Sequence, residues 1–281
     1  MTRIEILPWR IETAGPVTNF TESVFAVGNG WLGARGFSTQ TTKARPQDHA
    51  LFRAGFFEPV KPGITDMVQL PDALGLRMKG YAPTEVCQSL DMRRGILTHA
   101  WEADALAVAT ERMVSMDDRQ LICLRMTLRA EMAKAVTVEA ILDGRVANLP
   151  VHDDQMVEET ETVRLLETVS HTENALEMRA LHSGRRLFIE QRLLVNGEPR
   201  KGNQVELTVP PGEAVTVEKR VRILLDGEAP HADAADPWQR HEAAWEALWR
   251  DCDIRLDAIT IVGTPENGSP DIDHIVDFPI Y

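Results

Sequence analysis

Two sets of side chains in this sequence have types that could do chemistry. His99, His171, His182 and Glu190 are candidates for general acid–base work, since an imidazole titrates near neutral pH and a carboxylate can take a proton. All four alternate with apolar residues on presumed strands, where a histidine is more often an ordinary surface or core residue, and none sits in a catalytic motif. His152-Asp153-Asp154 has the composition of a metal cluster, but adjacent side chains on an extended chain point to opposite faces. It reads as a solvated acidic loop, and no metal is expected. The second set would bind rather than transform. Trp31, Trp101, Phe56 or Phe57 could stack on a pyranose ring, with Arg35, Asp72 or Arg94 hydrogen-bonding its hydroxyls. Arg35 and Arg94 also have a structural reading, pairing with Glu22 or Asp91 to fix a neighbouring turn.

The turn in question lies in E-S-V-F-A-V-G-N-G-W-L-G-A-R-G, Glu22 to Gly36, where Gly28, Asn29, Gly30, Gly33 and Gly36 crowd around two aromatic residues. Glycines at that density mark backbone with positive φ or in close contact with something else. Val24, Phe25 and Val27 predict a short buried strand, Gly28-Asn29-Gly30 a tight type I′ turn, and Leu32 a core position after it. A phosphate loop is excluded, because no Lys-Ser or Lys-Thr follows the glycines and no helical period opens behind them.

The elements around this stretch are mostly strands. Arg3 to Leu7 predicts an edge strand, and residues 38–66, with Pro46, Pro59, Pro62 and Gly63, predict a long irregular loop. From Leu74 onward, β-type runs recur at 74–78, 86–91, 95–101, 105–115, 120–129, 136–143, 160–169, 176–181, 186–194, 204–209 and 214–225, punctuated by polar turns. That rhythm, without βαβ spacing, predicts an all-β fold, a large antiparallel β-sandwich. At Asp236-Pro237 the period changes. Trp238, Trp245, Leu248 and Trp249 fall on one helical stripe, with Asp236 as cap and Pro237 in the first turn.

Composition narrows the function. A formal charge of −13 over 281 residues, with Arg interspersed among Glu and Asp, excludes nucleic acid and anionic membrane as partners. Cys87, Cys123 and Cys252 are far apart and without metal spacing, which fits a reducing compartment, with Cys123 buried. No signal-peptide core and no run of eighteen apolar residues is present, so a cytoplasmic chain is expected.

The motif E-S-x-F-x-x-G-N-G-x-x-G-x-R-G resembles the opening of the N-terminal domain of glycoside hydrolase family 65, the maltose, trehalose and kojibiose phosphorylases and their hydrolase relatives. The resemblance continues at Leu70-Pro71-Asp72, at L-D-M-R-R-G-I-L-T-H (Leu90 to His99), at Glu111 to Met116, and at Trp245 and Trp249. It implies a galactose mutarotase-like supersandwich over residues 1–228, a linker helix over 236–252, and an irregular tail over 253–281 in place of an (α/α)₆ barrel. In the family the general-acid Glu and the phosphate-binding residues belong to the barrel, so no catalytic residue is carried over and no cofactor is implied. The resemblance further implies α-glucosides as possible ligands. The Trp238–Trp249 stripe, without its barrel, would be free to dimerise or to recruit a separate catalytic chain. A third expectation is epimerase-like use of a sheet groove, as a His and a Glu serve in galactose mutarotase.

Overall fold

Alternating apolar residues put one face of most strands in a core, and the structure, a computed structural model, stacks those faces in two layers. It describes residues 4–7, 9–40, 50–83, 85–148, 162–233 and 235–252. In chain order the strands are β1 (Ile4–Leu7), β2 (Arg10–Gly15), β3 (Val27–Gly28), β4 (Leu32–Ala34), β5 (Leu51–Lys61), β6 (Ile64–Leu70), β7 (Asp72–Met78), β8 (Val86–Asp91) and β9 (Ile96–Ala103). They continue as β10 (Leu106–Val114), β11 (Leu121–Ala130), β12 (Lys134–Asp143), β13 (Leu166–His171), β14 (Ala175–Ala180), β15 (Arg186–Val195), β16 (Glu198–Arg200), β17 (Gln204–Val209) and β18 (Ala214–Leu225). The helices are α1 (Asn19–Val24) and α2 (Pro237–Cys252).

One large sheet runs β1-β2-β8-β9-β10-β11-β18-β15-β14-β13, with β16 added beside β15. Two smaller sheets, β17-β12-β7 and β3-β4-β5-β6, form the second layer, and the pairings between named strands are antiparallel. Leu124, Met126 and Leu128 of β11 share one apolar cluster with Leu74, Leu76 and Met78 of β7 and Val136 and Val138 of β12. The expected antiparallel sandwich is therefore the observed architecture.

Two local expectations fail. Residues 19–24 are helical, not a strand, because Thr18 caps them: its hydroxyl accepts from Thr21 N, and Thr21 Oγ1 accepts from Thr18 N. Of the supposed loop 38–66, the described part from Leu51 is the long hairpin β5–β6, turning at Gly63 with φ +78°. Pro59 is tolerated there because the register shifts on both sides of it, between Phe52 and Phe57 and between Pro59 and Lys61. Residues 41–49 and 253–281 lie outside the described residues, as does His152-Asp153-Asp154.

Helix α2 starts as its sequence requires, with Asp236 Oδ1 accepting from the N–H groups of Trp238 and Gln239. It lies on the outer face of the large sheet. Trp238 is buried with Ile96, Met113, Leu121 and Cys123, its Nε1 donates to Glu218 Oε2 at 2.9 Å, and Arg125 sits 4.1 Å from its ring centre. Trp245 and Trp249 pack on the β8–β9 hairpin and on Trp9, while Leu248 is exposed: Trp249 Nε1 donates to Arg93 O, Trp9 meets Trp249 edge-on at 4.8 Å, and Trp245 lies over Gly95. A Cβ at Gly95 would stand 2.5 Å from Trp245 Nε1, and its φ is +61°. Gly95→Ala is expected to lower stability by about 2–4 kcal/mol through overlap and strain. A denaturant titration read by tryptophan fluorescence measures it, and a loss under about 0.5 kcal/mol would contradict this packing.

Candidate functional site

The sequence motifs meet in one place. After the turn at residues 29–31 the chain passes beneath the inner face of the large sheet, and residues 35–37 present carbonyls that belong to no strand ladder. Such groups need partners when buried. Strand alternation supplies them. Thr13, Gln88, His99 and Thr110 stand in register across β2, β8, β9 and β10, with Arg112 two residues further along β10, and all five are buried.

Arg112 donates through Nη1 to Arg35 O at 2.8 Å and through Nη2 to Phe37 O at 2.6 Å, and its guanidinium lies 4.5 Å from the Phe37 ring centre. Burial pulls its pKa down to about 10, while the charges of Asp72 and Glu22 oppose that shift. Asp72 and Glu22 are themselves buried. Gln88 Nε2 donates to Gly36 O at 3.0 Å, and His99 Nε2 lies 3.2 Å from the same oxygen and 2.9 Å from the Gln88 amide. Burial, reinforced by the Arg112 charge, lowers the His99 pKa to about 3, so the ring is neutral at physiological pH. Gly36 N in turn donates to Glu22 O at 2.7 Å. Only glycine fits here, since a Cβ would come within 2.6 Å of Phe25 Cβ and O.

The turn itself is closed by its asparagine. Asn29 Oδ1 accepts from Trp31 N and Leu32 N, and Asn29 Nδ2 donates to Ser115 O at 2.7 Å. Gly28 pairs with Gly33 across the hairpin. Gly30 has φ +78° but Asn29 is not in the left-handed region, so the expected type I′ turn is replaced by this side-chain-closed loop. At the same end of these strands, one residue beyond Ser115, His241 of α2 joins two further motifs. Its Nδ1 accepts from Met116 N and its Nε2 donates to Arg94 O at 2.7 Å, which fixes the tautomer, and burial lowers its pKa.

The expected binding residues are dispersed around this cluster. Trp31 is at the tip of the turn with the Arg53 and Arg119 guanidiniums 4.4 and 5.2 Å from its ring centre. Phe56 is fully buried and Phe57 exposed, as alternation on β5 dictates, and Trp101 is buried against Tyr81. Arg35 Nη2 donates to Ser23 Oγ, Asp72 Oδ1 accepts from Leu74 N, and Arg94 pairs with Asp91 and Glu242. The acid–base candidates do not converge either. His99 is interior, His171 Nε2 is bonded to Leu142 O, and His182 and Glu190 are exposed in different segments. Among the described residues no three His, Cys, Asp or Glu side chains group as metal ligands, and no helix is long and apolar enough to cross a membrane.

Sequence reasoning missed Arg112, Gln88, Lys219, Arg53 and Glu58. Lys219 is fully buried between the layers, donating to Gly75 O at 3.0 Å and Ile141 O at 2.6 Å, and burial lowers its pKa to about 7. Arg53 pairs with Glu228, and the buried Glu58 carboxylate accepts from the N–H groups of His182 and Ser183.

The sequence profile of the glycosyl hydrolase family 65 N-terminal domain matches residues 16–258. The chain belongs to this family. Among curated relatives, an uncharacterized glycosyl hydrolase of Mycobacterium tuberculosis is 25% identical over 287 aligned residues, covering 84% of this chain and 22% of that protein. Nigerose phosphorylase of Lachnoclostridium phytofermentans is 27% identical over 180, covering 59% and 24%. A solved structure described as a candidate kojibiose phosphorylase from the human microbiome superposes with a TM-score of 0.62 at 15% identity, over 88% of this chain and 39% of that one. That likeness concerns the fold. The chain spans about a quarter of the length of these curated relatives.

Proposed function

We propose that this chain is the supporting β-sandwich and linker helix of a family 65 enzyme acting on α-glucosides by phosphorolysis or hydrolysis, and that it turns over no glycoside by itself. The observation that carries this reading is the state of its titratable side chains. Inverting cleavage requires an acid able to protonate a leaving oxygen, with room for a nucleophile on the opposite face of the sugar. Here His99 Nε2 and both Arg112 Nη groups are engaged with backbone carbonyls of residues 35–37 inside the sandwich, His99 Nδ1 and Arg112 Nε are buried without a partner among the described residues, and neither side chain reaches the surface. The relatives' printed activities, nigerose phosphorylase among them, supply the substrate class. Trp31, Arg35, Phe56, Asp72 and Arg94 then act as fasteners of the turns and strands around them rather than as a sugar subsite, and Phe57 is left exposed. Incubating the purified chain with maltose, trehalose, kojibiose or nigerose, with and without phosphate, is expected to release no glucose or glucose phosphate. Phosphorolysis above the buffer background would overturn the proposal.

A further inference from the structure

Lys219 of β18 takes no part in fastening residues 35–37 and reaches across the core instead. It stands in register with Leu124 of β11 and Leu193 of β15, and Arg112 stands on the other side of Leu124, so two fully buried cations share this row of the large sheet. Lys219 Nζ donates to Gly75 O of β7 and Ile141 O of β12, two residues that pair with each other in the opposite layer. Theirs is the last regular pair before the β7–β12 register shifts between Ile141 and Asp143. One side chain thus ties the large sheet to the smaller one at the irregular point of its ladder.

Few charges act on this nitrogen. The buried Asp72 of β7 favours the ammonium and Arg77 of the same strand disfavours it. Asp72 also acts on Arg112, so one interior anion serves both cations. Leu124 and Leu193 on the flanking strands are apolar, and Gln191 of β15 is neutral. Glu139 and Asp143 of β12 alternate with the buried Val138, Ala140 and Leu142, while Glu218 and Arg220 alternate with Lys219 and pair with each other. An ammonium has three N–H donors and an amine two. Gly75 O and Ile141 O match the amine, and the ammonium holds a third proton without a hydrogen-bond acceptor among the described residues. We propose that Lys219 is a proton-sensitive joint between the layers: as an amine it holds β7 and β12 against the large sheet, and taking up a proton loosens them, because a buried charge short of partners favours opening to water. Burial brings its pKa down to about 7, which puts the change in the neutral range.

Between pH 7 and the 10.5 of an unburied lysine, the unfolded chain binds a proton that the folded chain refuses, so this contribution to stability grows as pH rises through the window and is absent below it. The purified chain with ¹³C-labelled lysine tests the assignment directly. Of its six lysine Cε resonances, one should titrate with a midpoint near 7 and the others above about 9. Hydrogen exchange, corrected for intrinsic rates, should show opening at residues 74–76 and 139–141 about fivefold or more greater at pH 6 than at pH 8, with residues 176–178 of β14 changing distinctly less. In urea unfolding, the parent should gain about tenfold or more over Lys219→Met in its folding constant between pH 6 and pH 9. All six resonances titrating above pH 9, equal opening at the two pH values, or a Lys219→Met variant with the parent's pH dependence would each overturn the proposal. The first two readouts use the parent chain alone and hold even where the variant does not fold.

Discussion

Replacing Arg112 by Ala is expected to lower the unfolding free energy by about 3–5 kcal/mol, among the largest effects of any single change in this chain. Two buried carbonyls, Arg35 O and Phe37 O, lose their donors, and the buried Glu22 and Asp72 lose the cation that offsets them. Arg112→Lys keeps the charge but not the fork, so it should recover part of the loss and leave one carbonyl unpaired. Equilibrium urea unfolding measures both, with the midpoint moving and the slope unchanged. A loss under about 1 kcal/mol for Arg112→Ala would mean that this guanidinium does not fasten the crossing segment.

The second large effect is a pH dependence. The folded-state pKa of His99 lies at about 3, below the 6.5 of an unperturbed imidazole. Between those values the unfolded chain binds a proton that the folded chain refuses, so stability rises with pH across the window. The contribution is therefore fully present above pH 6.5 and is lost as pH falls toward 3. Its full size is on the order of 5 kcal/mol. Because carboxylates also titrate there, the quantity to read is the difference between the parent chain and His99→Gln, measured by urea unfolding at pH 7 and pH 4. The variant should lose distinctly less stability on acidification. Parallel losses would show that His99 takes up its proton as readily folded as unfolded.

Strand rhythm made the sandwich legible, because inner faces that are apolar at every second residue leave little choice of architecture. The helix α2 was equally plain, since its cap, its proline and its tryptophan stripe all agree. The interior cations were legible in principle. Arg112 shares parity with Leu106, Val108 and Val114, and Lys219 with Val215, Val217, Val221 and Ile223, so alternation alone places both inward. Charge invited a surface assignment, and the reason for burial, unpaired backbone from a distant segment, has no signature near either residue. Helix α1 was hidden for a different reason. Val24 and Phe25 have strand propensity, and the deciding feature is the reciprocal Thr18–Thr21 cap, which lacks the usual Glu or Gln. In β5 two register shifts let Pro59 sit in a strand, and nothing in the local sequence announces them. Trp238–Trp249 read as a stripe needing cover; Trp245 and Trp249 pack on Gly95, Arg93 and Trp9 of the chain's own turns, while Leu248 stays exposed.

On the proposed reading, His99 and His241 fasten backbone within the fold, and no histidine or carboxylate of this chain moves a proton on a sugar. Anomer interconversion of freshly dissolved α-D-glucose asks for the least that sugar acid–base chemistry can require, and it depends on no particular linkage. Followed by polarimetry with the purified chain in excess over trace buffer catalysis, the rate should equal that of buffer alone. An acceleration proportional to protein and abolished in His99→Gln or Glu190→Gln would contradict the account.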